Sequence, residues 1–379
     1  MNARFSDTKV GVLGGGQLGR MMLQSAIDFN LQISTLDPDP NAPCKALDPN
    51  FVVGKLTDFD TVYRFGQDKD LLTIEIENVN TQALKKLAEE GKKVFPQPEI
   101  IEMIQDKRKQ KVFYKANRIP SADFVLTESS SDVVQYKDFL PAVHKLGREG
   151  YDGRGVQVIA SEEDIGLAFE PPGLLEKLID FEKELSVIVA RNESGQIKSF
   201  PAVELVFHPT ANLVEFLFSP AEVSAQVERQ AEQLAIDVIE KLDMVGILAV
   251  EMFLTRAGEL LVNEIAPRTH NSGHQTIEGN ITSQFEQHLR AILDLPLGET
   301  ENIIPSAMVN LLGEDGHTGP ARYEGMEEVL GIEGVHVHLY GKHVTKPFRK
   351  MGHVTITDTD PGKLKAKAMN VKKTLKVVS

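Results

Sequence analysis

Two apolar segments joined by a turn signal constrain the fold of this chain more than any other feature. Residues 247–254 and 259–265 are rich in β-prone side chains, and Arg-Ala-Gly lies between them at residues 256–258, a pattern that predicts a β-hairpin. If the last two residues of this turn form the loop, Glu251 lies directly opposite Glu264. Their Cβ atoms would then be about 5 Å apart on one face of the sheet.

Opposed carboxylates among apolar neighbours repel each other, so the pattern indicates a cation between Glu251 and Glu264. Ligands that are all oxygen, with no thiolate nearby, favour Mg²⁺, which commonly takes phosphate oxygens as further ligands. The alternative is a slip in strand register that leaves both glutamates exposed at a sheet edge. Arg268, His270 and Asn271 begin a dense run of polar side chains just after the second strand. This run favours the metal hypothesis, because few structural loops need so many polar groups.

The composition excludes several classes of protein. The chain has 379 residues, which is enough for two or three domains. Its net charge of −14 argues against general binding of nucleic acid. Cys44 is the single cysteine, so an intramolecular disulfide and a cysteine zinc cluster are both excluded. Because the sequence contains neither a signal core nor an apolar run of membrane-spanning length, we expect a cytoplasmic protein with no membrane partner.

Strand and helix signals alternate over residues 1–105, which predicts a parallel sheet with helices on its faces. Residues 14–19 (GGGQLG), followed by Asp37 at about the expected distance, match the dinucleotide-binding fingerprint. An NAD-dependent dehydrogenase is therefore one hypothesis, although any tight strand-to-helix turn near an anion selects the same glycines. Glu75 and Glu77 end a strand at the sheet edge where such folds bind ligands. They are candidate ligand contacts or, alternatively, solvated charges.

A second α/β unit follows and contains a candidate phosphate-binding loop. Residues 146–155 (LGREGYDGRG) combine four glycines with two arginines, and Lys145 ends the strand before them. Glycines let backbone amides approach an oxyanion and cations supply charge, so we favour phosphate binding over a plain surface loop. Farther along, residues 185–204 predict an antiparallel strand pair and residues 224–242 a long helix.

The order of these units resembles the ATP-grasp superfamily, in which ATP is clamped between the two later units. The motifs GGGQLGRM, EGYDGRG and NEIAPRTHNSGH together resemble the family of 5-(carboxyamino)imidazole ribonucleotide synthases of purine biosynthesis. The resemblance implies an ATP-grasp fold (α/β and α+β) preceded by a parallel α/β, Rossmann-like domain and followed by a small β-rich carboxyl-terminal domain. The implied boundaries are 1–105, 106–300 and 301–379. Within the middle domain, a lid subdomain would cover about 120–175 and a larger metal-binding subdomain about 176–300.

The resemblance also implies which residues bind ATP. Lys107 and Lys145 would contact phosphates, Glu184 would hold the ribose hydroxyls, and residues 176–179 would read adenine, largely through backbone groups. The opposed glutamates would bind Mg²⁺. The full set of expected ATP contacts is Lys107, Lys145, Gly150, Tyr151, Asp152, Gly153, Arg154, Gly155, Val156, Glu176, Lys177, Leu178, Ile179, Glu184, Asn263 and Glu264.

The implied reaction joins bicarbonate to an amine. ATP and bicarbonate would form carboxyphosphate, which carboxylates 5-aminoimidazole ribonucleotide and leaves ADP and phosphate. Residues expected to hold substrate and intermediate are Tyr151, Asp152, Arg154, Arg268 and His270. With Glu75 and Glu77 included, the expected substrate contacts are Gln17, Leu18, Glu75, Glu77, Asn271, Ser272, Lys342 and Arg349. Members of the family are commonly dimers, so a homodimer is expected.

Three alternatives stand beside this interpretation. A formate-dependent glycinamide ribonucleotide transformylase belongs to the same superfamily and would use formyl phosphate. The NAD-dependent dehydrogenase would bind its cofactor at residues 14–19. A non-catalytic nucleotide sensor would bind ATP without turnover.

Overall fold

The amino-terminal part of the chain is a parallel α/β layer. The computed structural model describes residues 5–148, 150, 155–207 and 213–379. The elements here are β1 (Lys9–Leu13), α1 (Gln17–Asp28), β2 (Gln32–Asp37), β3 (Val52–Val53), α2 (Phe59–Gly66), β4 (Leu71–Ile74), α3 (Thr81–Glu89), β5 (Lys93–Val94) and α4 (Pro98–Ile104). The five strands form one sheet in the order β3-β2-β1-β4-β5, and every neighbouring pair is parallel. The predicted parallel sheet is confirmed.

The middle of the chain forms two antiparallel sheets. Its elements are α5 (Lys107–Ala116), β6 (Phe124–Thr127), α6 (Ser130–Gln135), β7 (Ala142–Leu146), β8 (Val156–Ile159), β9 (Gly173–Lys177), β10 (Phe181–Arg191), β11 (Ile197–Ser199), β12 (Val203–Phe207), β13 (Val214–Ser219), α7 (Ala225–Leu242), β14 (Gly246–Thr255), β15 (Leu260–Ala266), α8 (Thr276–Gly279) and α9 (Gln284–Ile292). Strands β6-β9-β7-β8 form a small sheet in that order, and β10 and β12–β15 belong to a larger one.

Three carboxyl-terminal strands extend the larger sheet, and the other four form two separate pairs. The elements are β16 (Ser306–Leu312), β17 (Gly319–Pro320), β18 (Arg322–Glu324), α10 (Met326–Leu330), β19 (Val335–Leu339), β20 (Val344–Thr345), β21 (Lys350–Thr357), α11 (Pro361–Thr374) and β22 (Lys376–Val378). The separate pairs are β17 with β20 and β18 with β22, and the main order of the larger sheet is β15-β14-β10-β12-β13-β16-β21-β19. The two ends of this sheet therefore belong to different parts of the sequence. Within the described ranges, no helix has the length and apolar character needed to cross a membrane.

The long helix α7 covers one face of the larger sheet. Its start is capped by Ser224, whose hydroxyl accepts a hydrogen bond from the backbone N–H of Val227. Its Val238 and Ile239 are fully buried and belong to the same core cluster as Val187 of β10. Each such side chain contributes roughly 1.5–3 kcal/mol on burial. This packing fixes β10, which carries Glu184, relative to its neighbour β14.

Glu75 closes the glycine-rich turn between β1 and α1. Its Oε1 accepts a hydrogen bond from the backbone N–H of Gly16 at 2.6 Å, and its Oε2 accepts one from Gly19 at 2.8 Å. A Cβ atom added at Gly14 would lie 2.3 Å from Cγ of Glu75. The turn therefore needs glycine in order to admit this carboxylate.

The acidic side chains around this turn serve the backbone. Asp37 Oδ2 accepts a hydrogen bond from the N–H of Gly15 at 2.8 Å. Burial raises the pKa of Glu75, while the amide donors of Gly19 and Gly16 act in the opposite direction. The carboxylate of Glu75 thus lies at the start of α1, where a dinucleotide would place its pyrophosphate. This arrangement disfavours the dehydrogenase hypothesis.

Replacing Glu75 by glutamine should destabilise the amino-terminal layer. The side-chain amide nitrogen cannot accept a hydrogen bond, so one buried backbone N–H would lose its acceptor, at a cost of about 1–3 kcal/mol. Glu89→Gln makes the same change at an exposed position of α3 and is the matched control. Thermal unfolding followed by circular dichroism should show a lower midpoint for Glu75→Gln alone. Equal midpoints for the two variants would contradict the capping role.

Candidate active site

The β14–β15 hairpin places Glu251 opposite Glu264, as the sequence predicts. The loop itself differs from the expectation. Thr255 and Glu259 close a loop of three residues through a 2.9 Å hydrogen bond from Thr255 N to Glu259 O, so the predicted two-residue loop is wrong. The register then shifts just after Glu251, where Asn263 is the extra residue of a bulge in β15. The bulge restores the pairing that the longer loop would otherwise move by one position.

Charge repulsion and burial both act on this glutamate pair. The side chain of Glu251 is 18% exposed, and burial, followed by the charges of Glu264 and Glu184, raises its pKa to about 8. The side chain of Glu264 is 47% exposed. Desolvation of its carboxylate opposes ionisation, but the ion pair with Lys107 outweighs this and holds the pKa of Glu264 below its ordinary value. Glu264 is therefore compensated by its ion pair with Lys107, whereas the charges of Lys350 and Lys107 offset the raised pKa of Glu251 only in part. An additional cation would relieve the remaining repulsion.

The expected phosphate-binding lysines converge on the same hairpin. Lys145 Nζ, at the end of β7, lies 2.5 Å from Oε2 of Glu176 and donates to Oδ1 of Asn263 at 3.1 Å. Lys107 begins α5, and its backbone N–H donates to the carbonyl of Gly147 at 2.8 Å. Residues from the small sheet, the larger sheet and α5 thus meet at one point. The bulge at Asn263 turns its amide toward Lys145, which simple strand alternation would not have done.

One residue of this group was missed by sequence reasoning. Lys111 lies one turn after Lys107 on α5 and contacts Glu176, with 2.8 Å between Nζ and Oε1. Its side chain is only 3% exposed, although the basic character of α5 favours a solvated face. The spacing of four residues from Lys107 was the available signal.

The end of β9 and the residue that follows it donate hydrogen bonds to backbone carbonyls of residues 139–141. Lys177 Nζ donates to the carbonyls of Phe139 and Leu140 at 3.0 and 3.2 Å, and Leu178 N donates to Pro141 O at 3.2 Å. The side chain of Lys177 is therefore directed to the small sheet. Ile179 follows as a partly buried residue.

The other expected ATP contacts stand apart from this segment. Glu184 on β10 is partly buried, and burial raises its pKa to about 7 despite the charge of Lys145. Gly155, with φ of +73°, directly precedes β8, which begins at Val156, and Gly150 is described within the loop. The expected contacts that lie outside the described residues are Tyr151, Asp152, Gly153 and Arg154.

The residues expected to contact the acceptor lie against the β14–β15 hairpin. His270 Nδ1 is 3.0 Å from Ser272 Oγ and 3.7 Å from Glu251 Oε1. Burial, and secondarily Arg268, holds the pKa of His270 well below its ordinary value, so the imidazole is neutral. Arg268 Nε lies 2.8 Å from Oε1 of Glu77. The structure thus brings Glu77 of the amino-terminal layer next to Arg268, which follows the hairpin. Both residues are expected to hold substrate.

Other expected substrate contacts are held by protein partners. Asn271 and Asn310 exchange two hydrogen bonds of 2.9 Å through their side-chain amides. Gln17 Oε1 accepts a 2.9 Å hydrogen bond from Lys342 Nζ, although 325 positions separate the two residues. This bond joins the start of α1 to the carboxyl-terminal part of the chain. Leu18 is buried beside Gln17.

Arg349 and Ser272 are both engaged with nearby groups. Arg349 Nη1 donates to the carbonyl of Val344 at 2.5 Å and is directed to its own turn. Ser272 Oγ accepts a hydrogen bond from Ser186 Oγ at 2.8 Å. Ser186 lies on β10 and was not anticipated from the sequence.

Fold and site together define an ATP-grasp protein. Three family models match the chain in order: the ribonucleotide synthetase preATP-grasp domain at residues 7–105, the ATP-grasp domain at 112–285, and the phosphoribosylaminoimidazole carboxylase C-terminal domain at 306–367. The predicted fold class, an ATP-grasp fold between a parallel α/β domain and a smaller carboxyl-terminal domain, is confirmed.

Solved structures of individual relatives show which family of ATP-grasp proteins the chain resembles. The structure of N5-carboxyaminoimidazole ribonucleotide synthetase from Thermotoga maritima is 43% identical, with a TM-score of 0.91 over 98% of this chain and 99% of that one. The Aspergillus clavatus N5-carboxyaminoimidazole synthase, in complex with ADP and 5-aminoimidazole ribonucleotide, is 34% identical, with a TM-score of 0.89 over 98% of this chain and 100% of that one. The chain belongs to the N5-carboxyaminoimidazole ribonucleotide synthase family, and the resemblance inferred from its motifs is confirmed.

A longer relative covers the same region. The chloroplastic phosphoribosylaminoimidazole carboxylase of Vigna aconitifolia is 40% identical over 362 residues. The match covers 92% of this chain, and the chain spans 64% of the length of that relative.

The raised pKa of Glu251 predicts a pH-dependent effect on stability. Since its folded-state pKa is about 8 against an ordinary 4.5, the folded protein loses stability as pH rises from about 5 through 8. Glu251→Gln should therefore raise the unfolding midpoint at pH 8.5, in EDTA and without nucleotide, by the equivalent of about 1 kcal/mol or more. At pH 5 it should have little effect.

Glu259→Gln, at an exposed position of the hairpin loop, is the control and should change the midpoint at neither pH. A gain for Glu251→Gln of equal size at both pH values would show that ionisation of Glu251 is not the cause.

Proposed function

We propose that the protein is an ATP-dependent carbon–nitrogen ligase of purine biosynthesis. It carboxylates 5-aminoimidazole ribonucleotide with bicarbonate, giving 5-(carboxyamino)imidazole ribonucleotide, ADP and phosphate. The observation that carries the proposal is the contact between the residues expected to bind ATP and metal and those expected to bind the amine acceptor. Glu251, opposite Glu264, is 3.7 Å from His270, so the hairpin suited to ATP and metal directly adjoins the loop suited to the amine acceptor.

The opposed glutamates fit a magnesium ion. Glu251 and Glu264 offer carboxylate oxygens on facing strands, and a divalent cation would offset the burial and the repulsion that together raise the pKa of Glu251. Bound Mg²⁺ supplies charge neutralisation to the phosphates. Lys107 and Lys145 add monovalent charge from the other side, and Asn263 holds Lys145 toward the hairpin.

The proposed chemistry has two steps. A bicarbonate oxygen attacks the γ-phosphorus of ATP, the bond to the β-phosphate oxygen breaks, and carboxyphosphate and ADP form. The exocyclic amine of the acceptor then attacks the carboxyl carbon, phosphate leaves, and the amine loses a proton. Carboxyphosphate hydrolyses readily, so water must be excluded while it exists. We assign to Arg268 and His270 the holding of this intermediate, together with Tyr151, Asp152 and Arg154 of the glycine-rich loop.

The remaining assignments complete the proposal. The backbone of residues 176–179 and the side chain of Glu184 would hold the adenosine of ATP, and Gly150, Gly153, Gly155 and Val156 would cover its phosphates. The acceptor nucleotide would be held by Gln17, Leu18, Glu77, Asn271, Ser272, Lys342 and Arg349. Glu75 would act indirectly, through the turn that it caps.

We further propose a cytoplasmic homodimer with domains at 1–105, 106–300 and 301–379. The amino-terminal layer supports an interface, since Ile27 and Val53 on its surface are 68% and 55% exposed. The family resemblance supports the location and the domain limits.

The co-substrate that triggers ATP cleavage tests the proposed function. We expect ADP release with Mg²⁺, bicarbonate and 5-aminoimidazole ribonucleotide together, and a large fall when any one is omitted. Formate with glycinamide ribonucleotide should give no release above background. Release that requires the second pair would identify the transformylase instead. ATP binding without turnover under any combination would indicate a nucleotide sensor, and NAD binding would revive the dehydrogenase hypothesis.

A further inference from the structure

Glu176 lies between two lysines in the interior of the ATP-grasp domain. Its Oε2 is 2.5 Å from Nζ of Lys145, and its Oε1 is 2.8 Å from Nζ of Lys111. The side chains of Glu176 and Lys111 are 7% and 3% exposed, and that of Lys145 is 15% exposed. Because so little water reaches these groups, their charges act on one another at low screening.

Lys111 is fixed by its surroundings, and it contacts Glu176 rather than Lys145. Its Nζ donates to the carbonyl of Ala122 at 2.8 Å and lies 5.4 Å from the ring centroid of Phe124. It binds one oxygen of Glu176, whereas Lys145 binds the other. Burial lowers the pKa of Lys111, and the adjacent carboxylate of Glu176 opposes that shift.

The charges of this array determine what Lys145 can offer to a phosphate. Two ammonium groups and one carboxylate leave one net positive charge. Without Lys111, Glu176 and Lys145 would form a neutral pair, and a phosphate would have to compete with Glu176 for the ammonium group. Lys145 has three N–H donors, of which Glu176 and Asn263 engage two.

We propose that Lys111 is a positioning residue for nucleotide binding, which neutralises Glu176 and so makes the charge of Lys145 available to the phosphates of ATP. The inference rests on the proposed function, in which Lys145 contacts those phosphates. It adds a residue that acts only through Glu176. In a purely structural role, by contrast, Lys111 would tie α5 to β9, and its loss would act through stability alone.

Lys111→Met removes the charge and keeps most of the side-chain volume. We expect the Kd for Mg-ATP, measured by calorimetry without the acceptor, to rise about tenfold, because Lys145 is then neutralised by Glu176. The KM for 5-aminoimidazole ribonucleotide should stay within about twofold. Lys115→Met, an exposed site one turn later on α5, is the matched control and should change neither constant. An unchanged Kd in Lys111→Met would overturn the inference.

A double variant separates charge from packing. Lys111→Met combined with Glu176→Gln removes one positive and one negative charge and returns the net charge of the array to +1. We expect its Kd for Mg-ATP to recover to within about threefold of the parent value, a non-additive rescue. A purely structural role of Lys111 requires the double variant to bind no better than Lys111→Met, and that result would contradict the proposal.

Failure to fold does not leave the question open. If Lys111→Met does not fold, the inference is tested with the double variant and with Lys111→Arg, which keeps the charge. Each must bind Mg-ATP with a Kd within about threefold of the parent value. If neither folds, Lys111 is structural and the inference is overturned. If the parent protein itself binds no Mg-ATP, the proposed function fails. If the parent binds and Lys111→Met binds equally well, only this inference fails.

Discussion

Two carboxylates that face each other across a hairpin are the constraint on which the site depends. Glu251 and Glu264 are held in register by β14 and β15, and the core formed by β10, β14 and α7 prevents the strands from separating. Repulsion between them must be compensated, and the side chains that contact β15 to do so come from outside the larger sheet. Lys107 on α5 reaches Glu264, and Lys145 on β7 reaches the bulged Asn263. The need for positive charge at the hairpin thus brings the small sheet against the larger one.

The acceptor half of the site is assembled differently from the ATP half. The expected ATP contacts come from α5, the two antiparallel sheets and their connections, whereas the expected acceptor contacts come from all three parts of the chain. Arg268 joins the hairpin to Glu77 of the amino-terminal layer, and Gln17 joins that layer to Lys342. If these residues bind the acceptor as proposed, such long-range contacts would place it beside the hairpin only in the fully folded chain. This suits a reaction whose intermediate has to be protected from water until the acceptor is in place.

The sequence predicted these features unequally, for physical reasons. Counting residues from an assumed two-residue loop predicted that Glu251 faces Glu264, but this count could not reveal that a three-residue loop and a bulge at Asn263 compensate each other. The glycine-rich turn was recognised, yet its anion is Glu75, 59 positions away from Gly16. No local pattern encodes that distance. The burial of Lys111 could not be predicted either. It depends on Glu176, which lies on a distant strand, whereas the sequence of α5 alone resembles a solvated helix face.

The position of a metal bound together with nucleotide tests the central claim most directly. Crystals grown with a non-hydrolysable ATP analogue and Mn²⁺, which accepts the oxygen ligands of Mg²⁺, would locate the ion by anomalous scattering. The expected peak lies between β14 and β15, with one carboxylate oxygen of Glu251 and one of Glu264 within about 2.5 Å. A peak held by other acidic residues, with both of these glutamates outside coordination distance, would contradict the assignment of the hairpin as the metal site.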